Sequence, residues 1–239
     1  MKSKVFILAI LLSGLFAQSA SAALALDATR YVYEGNKVAI SATVNSETEH
    51  EFGGQVWVDN IIEKDTRPTF IATPSFFKIK AKGHQVFRIM KVSDHMPQDK
   101  ESVYWLNLQE IPPKLKGSGI SMAIRTRVKL FYRPEKLIEG RANAEQNMTI
   151  EHLPGKQFLV NSTPYIFAIG SILDVNDKPI TFTKKEQDTL AMFMPGDKVN
   201  ITGFKVKSVF ALNDFGNMSH FVLNNNDQVG NILKKNKYI

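Results

Sequence analysis

The chemistry open to a chain depends first on its reactive side chains, and here that inventory is short. The 239 residues include five histidines, His50, His84, His95, His152 and His220, and no cysteine. No two histidines have the HxH, HxxxH or HExxH spacing that lets a pair of imidazoles share one metal ion. Without thiols there is no thiolate zinc site, iron–sulfur cluster, thiol nucleophile or disulfide scaffold. Asp94 and His95 are adjacent, but neighbours on an extended strand point to opposite faces. GxSxG elbows, P-loops and GxGxxG fingerprints are absent. The sequence therefore assigns no catalytic residue, no metal site and no cofactor. Asn147, Asn161 and Asn217 open Asn-x-Ser/Thr triplets, which arise often by chance and carry no argument.

What remains is recognition chemistry, carried by charge and apolar alternation. Lys and Arg number 30 against 23 Asp and Glu, a net charge of +7, which suits nucleic acid, an anionic surface or an acidic ligand. Arg125, Arg127 and Lys129 alternate along one strand face; charged residues that deter wrong edge pairing explain them more simply than nucleic acid does. Just before them, Ile120, Met122 and Ile124 alternate with Ser121, Ala123 and Arg125. Taken alone, that pattern fits a strand packed on its own core. It also fits an edge strand that lends its apolar face to another protein.

The elements that position these residues are predicted to be strands. Residues 1–22 stand apart: Lys2 and Lys4 precede an uncharged run from Val5 to Ala17, and Ser19–Ala22 offers small residues for cleavage. This is the layout of a secretory signal peptide, expected to be cut after Ala22. Export argues against a nucleic-acid partner. No later run approaches the ~18 apolar residues of a membrane span, so the mature protein is expected not to be membrane-embedded.

Beyond Ala23, period-2 alternation predicts strands over Lys37–Val44, Gln55–Val58, Gln85–Lys91, Val103–Leu108 and Ile120–Tyr132, separated by glycine-rich turns. The polar stretch Arg133–Gln146 reads as a linker, with room for a short helix at Glu135–Gln146. Further strands are predicted at Gln157–Asn161, Tyr165–Leu173, Pro179–Thr183, Thr189–Met194, Lys198–Thr202 and Lys205–Leu212, before a polar tail. Short strands at this spacing argue for an all-β chain of two immunoglobulin-like sandwiches, 23–139 and 140–239.

Two segments are far more specific. Met96–Pro113 reads MPQDKESVYWLNLQEIPP, and Arg127–Pro134 reads RVKLFYRP. Together with Ala28–Tyr33, Ile71–Pro74, Asn161–Tyr165 and Asn213–Gly216 in the same order, they resemble the periplasmic pilus-assembly chaperones of the chaperone–usher pathway. The resemblance runs over essentially the whole mature chain and thins after Gly216. It implies two sandwiches set at an angle and a periplasmic, non-enzymatic protein that caps fimbrial subunits by donor-strand complementation and delivers them to an outer-membrane usher.

Residue by residue, the resemblance implies three sets. Ile120, Met122 and Ile124 become the donor strand. Arg30 and Lys129 become the interdomain pair that holds the subunit's terminal carboxylate. Glu101, Arg133 and Asp214 become an interdomain ion-pair network. Strict alternation puts Lys129 on the face opposite Ile120 and Ile124, so a twist, a bulge or a partner that wraps the edge is required. The chain departs from the family in lacking the disulfide of many members and in carrying Ser162 where proline is frequent. Its short Lys114–Gly119 connection resembles the branch that serves rod-like pili, and the isomer of Thr73-Pro74 is left open. The alternative from another class is a secreted adhesion or structural module.

Overall fold

Alternation becomes tertiary structure most plainly in the strand Ser102–Ile111. Tyr104, Leu106 and Leu108 enter the first core, while Val103, Trp105 and Asn107 face the other way. The computed structural model describes residues 22–61, 67–114, 117–224 and 227–228. The expected signal peptide up to Ser21, part of the Lys114–Gly119 connection and most of the expected tail lie outside the described residues.

The first half comprises β1 (Leu24–Leu26), β2 (Arg30–Glu34), β3 (Ala39–Ser46), β4 (Phe52–Asn60), β5 (Phe70–Thr73), β6 (Phe76–Ile79), β7 (His84–Lys91), β8 (Ser102–Ile111) and β9 (Arg125–Arg133). They form two facing sheets, β1-β3-β7-β5 and β2-β9-β8-β4-β6. Between the sheets lie Tyr33, Val44, Val56, Phe70, Phe87, Ile89, Leu106 and Leu130, all almost wholly buried. Gly54 on β4 has no room for a side chain, because an added Cβ would sit 2.3 Å from the Phe77 ring. Thr73-Pro74, between β5 and β6, is cis.

Three successive 3-10 turns, Glu135–Leu137, Glu139–Arg141 and Ala144–Asn147, occupy the expected linker in place of a short α-helix. The second half then runs β10 (Thr149–Leu153), β11 (Lys156–Val160), β12 (Ile169–Asp174), α1 (Lys184–Ala191), β13 (Lys198–Asn200), β14 (Val206–Leu212), β15 (Met218–Val222) and β16 (Asp227–Gln228). Its sheets are β13-β11-β10-β16 and β12-β14-β15, closed over Leu159, Phe167, Ile172, Phe193, Val199 and Val209. The fold is all-β, two immunoglobulin-like β domains. A third, smaller cluster joins them: Val103 and Phe131 from the outer face of the first sandwich meet Ile166 of the second, with Met192 and Met194 packed alongside.

Two strand expectations fail for local reasons. Pro179–Thr183 leads into α1 and Thr189–Met194 begins inside it, a helix that was not expected. Thr183 caps this helix: its hydroxyl accepts the Glu186 N–H, and Glu186 returns a carboxylate to the Thr183 N–H. This Thr-x-x-Glu capping box is a sequence signal that β-branched Thr181 and Thr183 obscured. The third difference is the start of β9. Its ladder with β8 runs unbroken from Gln109↔Arg125 to Ser102↔Tyr132, so residues 120–124 precede the strand.

Thr183→Ala is expected to destabilise the second domain by about 1 kcal/mol, because the Glu186 N–H loses its acceptor and the Glu186 carboxylate loses the Thr183 hydroxyl. Urea denaturation followed by circular dichroism measures it, and an unchanged midpoint would show that the packing of Leu190 alone holds the helix.

Candidate functional site

Arg30 opens β2 and Lys129 lies in β9. The two strands are parallel neighbours with Arg30 directly opposite Lys129. Both point to the outer face, because Tyr31, Leu130 and Tyr132 take the inner one. There they line a cleft of about 330 Å³ between the domains, with Trp105 and Arg127 on one wall and Ile169, Ala191, Leu212 and Met218 on the other. Lys129 Nζ donates to the Ala191 carbonyl at 2.6 Å, and Arg30 Nη1 to the Leu212 carbonyl at 3.4 Å. Ala191 ends α1, where carbonyls lack helical partners and carry the negative end of the helix dipole.

Burial pushes the pKa of Lys129 down, and the charge of Arg30 pushes it further. Burial likewise lowers that of Arg30, against the pull of Asp214 and with the opposition of Arg141. Two cations side by side, short of water and of counter-charge, make a site that an anion relieves. A carboxylate suits it, since it can take charge-assisted hydrogen bonds from both. Arg30 also stacks on Phe131 and Arg127 on Trp105, with guanidinium carbons 5.4 and 5.3 Å from the ring centres. The described residues hold no group of three or more His, Asp and Glu side chains placed to bind a metal ion.

Behind the cleft, Arg133 is buried at the end of β9. Its Nε donates to Glu101 Oε1 at 2.6 Å, and its two terminal nitrogens donate to the two Asp214 oxygens at 2.8 and 3.0 Å. Glu101 Oε2 accepts the Ile166 N–H across the domain boundary at 2.8 Å. Sequence reasoning missed the next members, Arg141 and Glu145. Glu145 is fully buried and binds Arg141 through both oxygens at 2.7 and 3.0 Å, while Arg141 Nε lies 3.5 Å from Asp214. Their four-residue spacing was the available signal, but the polar linker was not read as packed. Burial lowers the pKa of Arg133, but its bonds to Asp214 and the charge of Glu101 outweigh that and hold it above its ordinary value. Burial lifts Asp214, yet Arg133, Arg141 and Arg30 together keep it below 3.8.

The structure thus gathers Glu101, Arg133 and Asp214 into one network and sets Arg30 beside Lys129. Ile120, Met122 and Ile124 lie apart from both groups, on the segment leading into β9, with exposures of 92%, 75% and 37%. They do not pack into the chain's own core, which is where pattern alone would send them. Because β2 begins opposite Lys129, no strand among the described residues covers the outer edge of β9 from Arg125 to Val128. No bulge interrupts β9, so Lys129 keeps the face opposite to Ile124.

The chain is thus a protein of two β-sandwiches joined by buried ion pairs, with a cationic cleft beside an exposed apolar edge segment. A family profile described as "Pili and flagellar-assembly chaperone, PapD N-terminal domain" matches residues 23–138. The chaperone protein ClpE of Escherichia coli is 57% identical over 209 residues, spanning 87% of this chain and 79% of its own. The chaperone protein FanE of Escherichia coli is 40% identical over 206 residues, spanning 84% and 90%. The crystal structure of the periplasmic chaperone SfaE superposes with a TM-score of 0.66 at 27% identity, over 83% of this chain and 97% of that one. The chain belongs to the family of fimbrial, or pilus-assembly, chaperones.

Arg133→Met is expected to cost about 3–5 kcal/mol, since it leaves the buried Glu101 carboxylate without its charged partner; calorimetric unfolding measures it. Asp214 gives a pH signature of defined sign. Its pKa is depressed in the folded state, so its stabilisation is full above the unfolded value of 3.8 and is lost as pH falls through the lower folded value. The tryptophan fluorescence of a Trp57→Phe chain, which then reports on Trp105 alone, should change as pH falls through that window, and Asp214→Asn should flatten the dependence.

Proposed function

We propose that this chaperone captures pilus subunits in the periplasm by lending them the segment Ile120–Ile124 as a strand, while Arg30 and Lys129 bind the subunit's terminal carboxylate. The observation that carries the reading is the alignment of an exposed apolar segment, an open strand edge and a paired-cation cleft along one line of chain. A protein missing a strand exposes a core and an edge, and both invite aggregation until something fills them. Apolar side chains at alternate positions supply the core, and main-chain groups supply the edge.

The geometry also sets a direction. Counted along the chain, Lys129 lies nine residues beyond Ile120, a span of ~30 Å when extended. A subunit strand whose carboxylate reaches Lys129 and whose body lies beside Ile120 runs parallel to β9, and it takes the place in line with β2. Its carboxylate must turn onto the outer face while its apolar side chains lie on the inner one, so the partner wraps the edge. The terminal charge then acts as a register pin, since a one-residue slip would put the wrong side chains against Ile120, Met122 and Ile124.

This role is binding and not catalysis: it needs no nucleotide or cofactor, because exchange for a subunit's own strand supplies the driving free energy. Delivery to an outer-membrane usher follows as the step at which that exchange occurs. Support comes from membership of the chaperone family and from the SafB chaperone of Salmonella enterica. SafB was solved in complex with the SafA pilin and shares this fold, with a TM-score of 0.65 at 21% identity over 86% of this chain and 99% of that one.

The test is recovery of a fimbrial subunit co-expressed with the chaperone and purified from the periplasm. Arg30→Ala and Lys129→Ala are each expected to weaken capture by about 2–5 kcal/mol, the cost of truncating one partner of a buried charged contact. Met122→Asp is expected to abolish capture without unfolding the chaperone, because its side chain is largely exposed in the free protein. Undiminished recovery with all three variants would overturn the mechanism.

A further inference from the structure

Glu110 is a buried carboxylate in the second-to-last position of β8, on the same inner face as Leu106 and Leu108. It has no cationic partner among the ion pairs of the described residues. Instead its two oxygens accept main-chain N–H groups from two separate segments. Oε1 takes the N–H of Leu24, the first residue of β1, at 3.0 Å, and Oε2 takes the N–H of Ile124 at 3.1 Å. The Glu110 N–H in turn donates to the Ile124 carbonyl at 3.0 Å. Residue 124 is therefore held on both its main-chain groups by one residue. It is also the last point of contact before the chain departs from β8, and exposure then rises through Met122 to Ile120.

A strand end needs no such device merely to stop. An ordinary antiparallel rung would return the Ile124 N–H to the Glu110 carbonyl; here the side chain takes it, while that carbonyl accepts the amide of Gln109 at 3.2 Å. The substitution matters because strand alternation is strict. With residue 124 opposite 110, Ile124, Met122 and Ile120 share the phase of Val128 and Leu130. A slip of one residue would place Ser121, Ala123 and Arg125 on that face.

We propose that Glu110 is the positioning residue of the lent segment: by clamping Ile124 and the start of β1 together, its carboxylate fixes where the segment leaves the sheet and which face its apolar side chains present. This rests on the strand-lending reading above and names the residue that makes it work. The bond to Leu24 adds that the segment is referenced to the opposite sheet, so its root is braced on both layers of the sandwich.

The probe is a labelled peptide of about ten alternating valine and threonine residues ending in a free carboxylate. Glu110→Gln keeps the shape but turns one acceptor into a donor facing an N–H. It is expected to weaken peptide binding roughly tenfold or more and to speed hydrogen exchange at the Leu24 and Ile124 amides. A Gln109→Cys/Arg125→Cys disulfide, at the neighbouring non-hydrogen-bonded pair of a chain with no other cysteine, imposes the same register covalently and should restore binding to Glu110→Gln. Intact binding in Glu110→Gln, or a loss that the disulfide does not restore while the disulfide alone binds normally, overturns this inference. A native chain that does not bind the peptide, or a Met122→Asp variant that binds it normally, overturns the strand-lending reading and this inference with it. Should Glu110→Gln fail to fold, the native chain decides: its Ile124 amide must exchange far more slowly than those of Ser121 and Ala123, and equal rates reject the clamp.

Discussion

The buried guanidinium of Arg133 governs how the two domains meet. It closes β9, the strand that begins at the exposed edge, and each of its nitrogens is committed to Glu101 or Asp214. A charge taken out of water in this way is tolerated only with near-complete satisfaction of its donors, so the positions of the two carboxylates are tightly constrained. Glu101 spends its second oxygen on the Ile166 N–H of the other domain, and Asp214 lies near Arg141, which the fully buried Glu145 holds in turn. The apolar cluster of Val103, Phe131 and Ile166 beside it adds contact area but little direction. The ion pairs supply the direction.

Everything in the cleft follows from that placement. Arg30 and Lys129 are neighbours across β2 and β9, and the approach of the second domain dries them and gives them main-chain carbonyls in place of counter-ions. The result is a pair of cations that are held in place but under-neutralised, which is why we propose that they receive a carboxylate. The same network holds Asp214 within the field of Arg30, so the ion-pair scaffold and the cationic cleft are parts of one electrostatic system.

Much of this was legible in the residues. The long alternating strands β3, β7 and β8 were expected close to where they lie, because one buried face and one open face leave a period-2 trace. Short strands such as β1, β5, β6 and β15 were not, since three to five residues carry too little pattern. The helix α1 was missed although its capping box was present, because the β-branched residues before it favoured a strand. Ile120–Tyr132 read as one strand, but β8 pairs only from Arg125 onward, and pairing partners are not visible in one segment's alternation. The polar stretch Arg133–Gln146 reads as a linker with room for a short helix, yet its Arg141 and Glu145 pack into the domain joint. Glu110 lay inside a quoted motif without a role, because its partners are main-chain groups far away in the chain.

The sequence by itself determined the fold class, the spacing of the apolar row Ile120, Met122 and Ile124, and the residue types able to bind an anion. These are local properties, carried by alternation and by side-chain chemistry. Only the tertiary structure decided that the apolar row stays outside its own core and that Arg30 stands opposite Lys129. It likewise brought Glu110 to Leu24 and Ile124, and Asp214 to Arg133. The reason is that each of these facts depends on which strand lies beside which and how much water is excluded there, and neither is a property of any single stretch of chain.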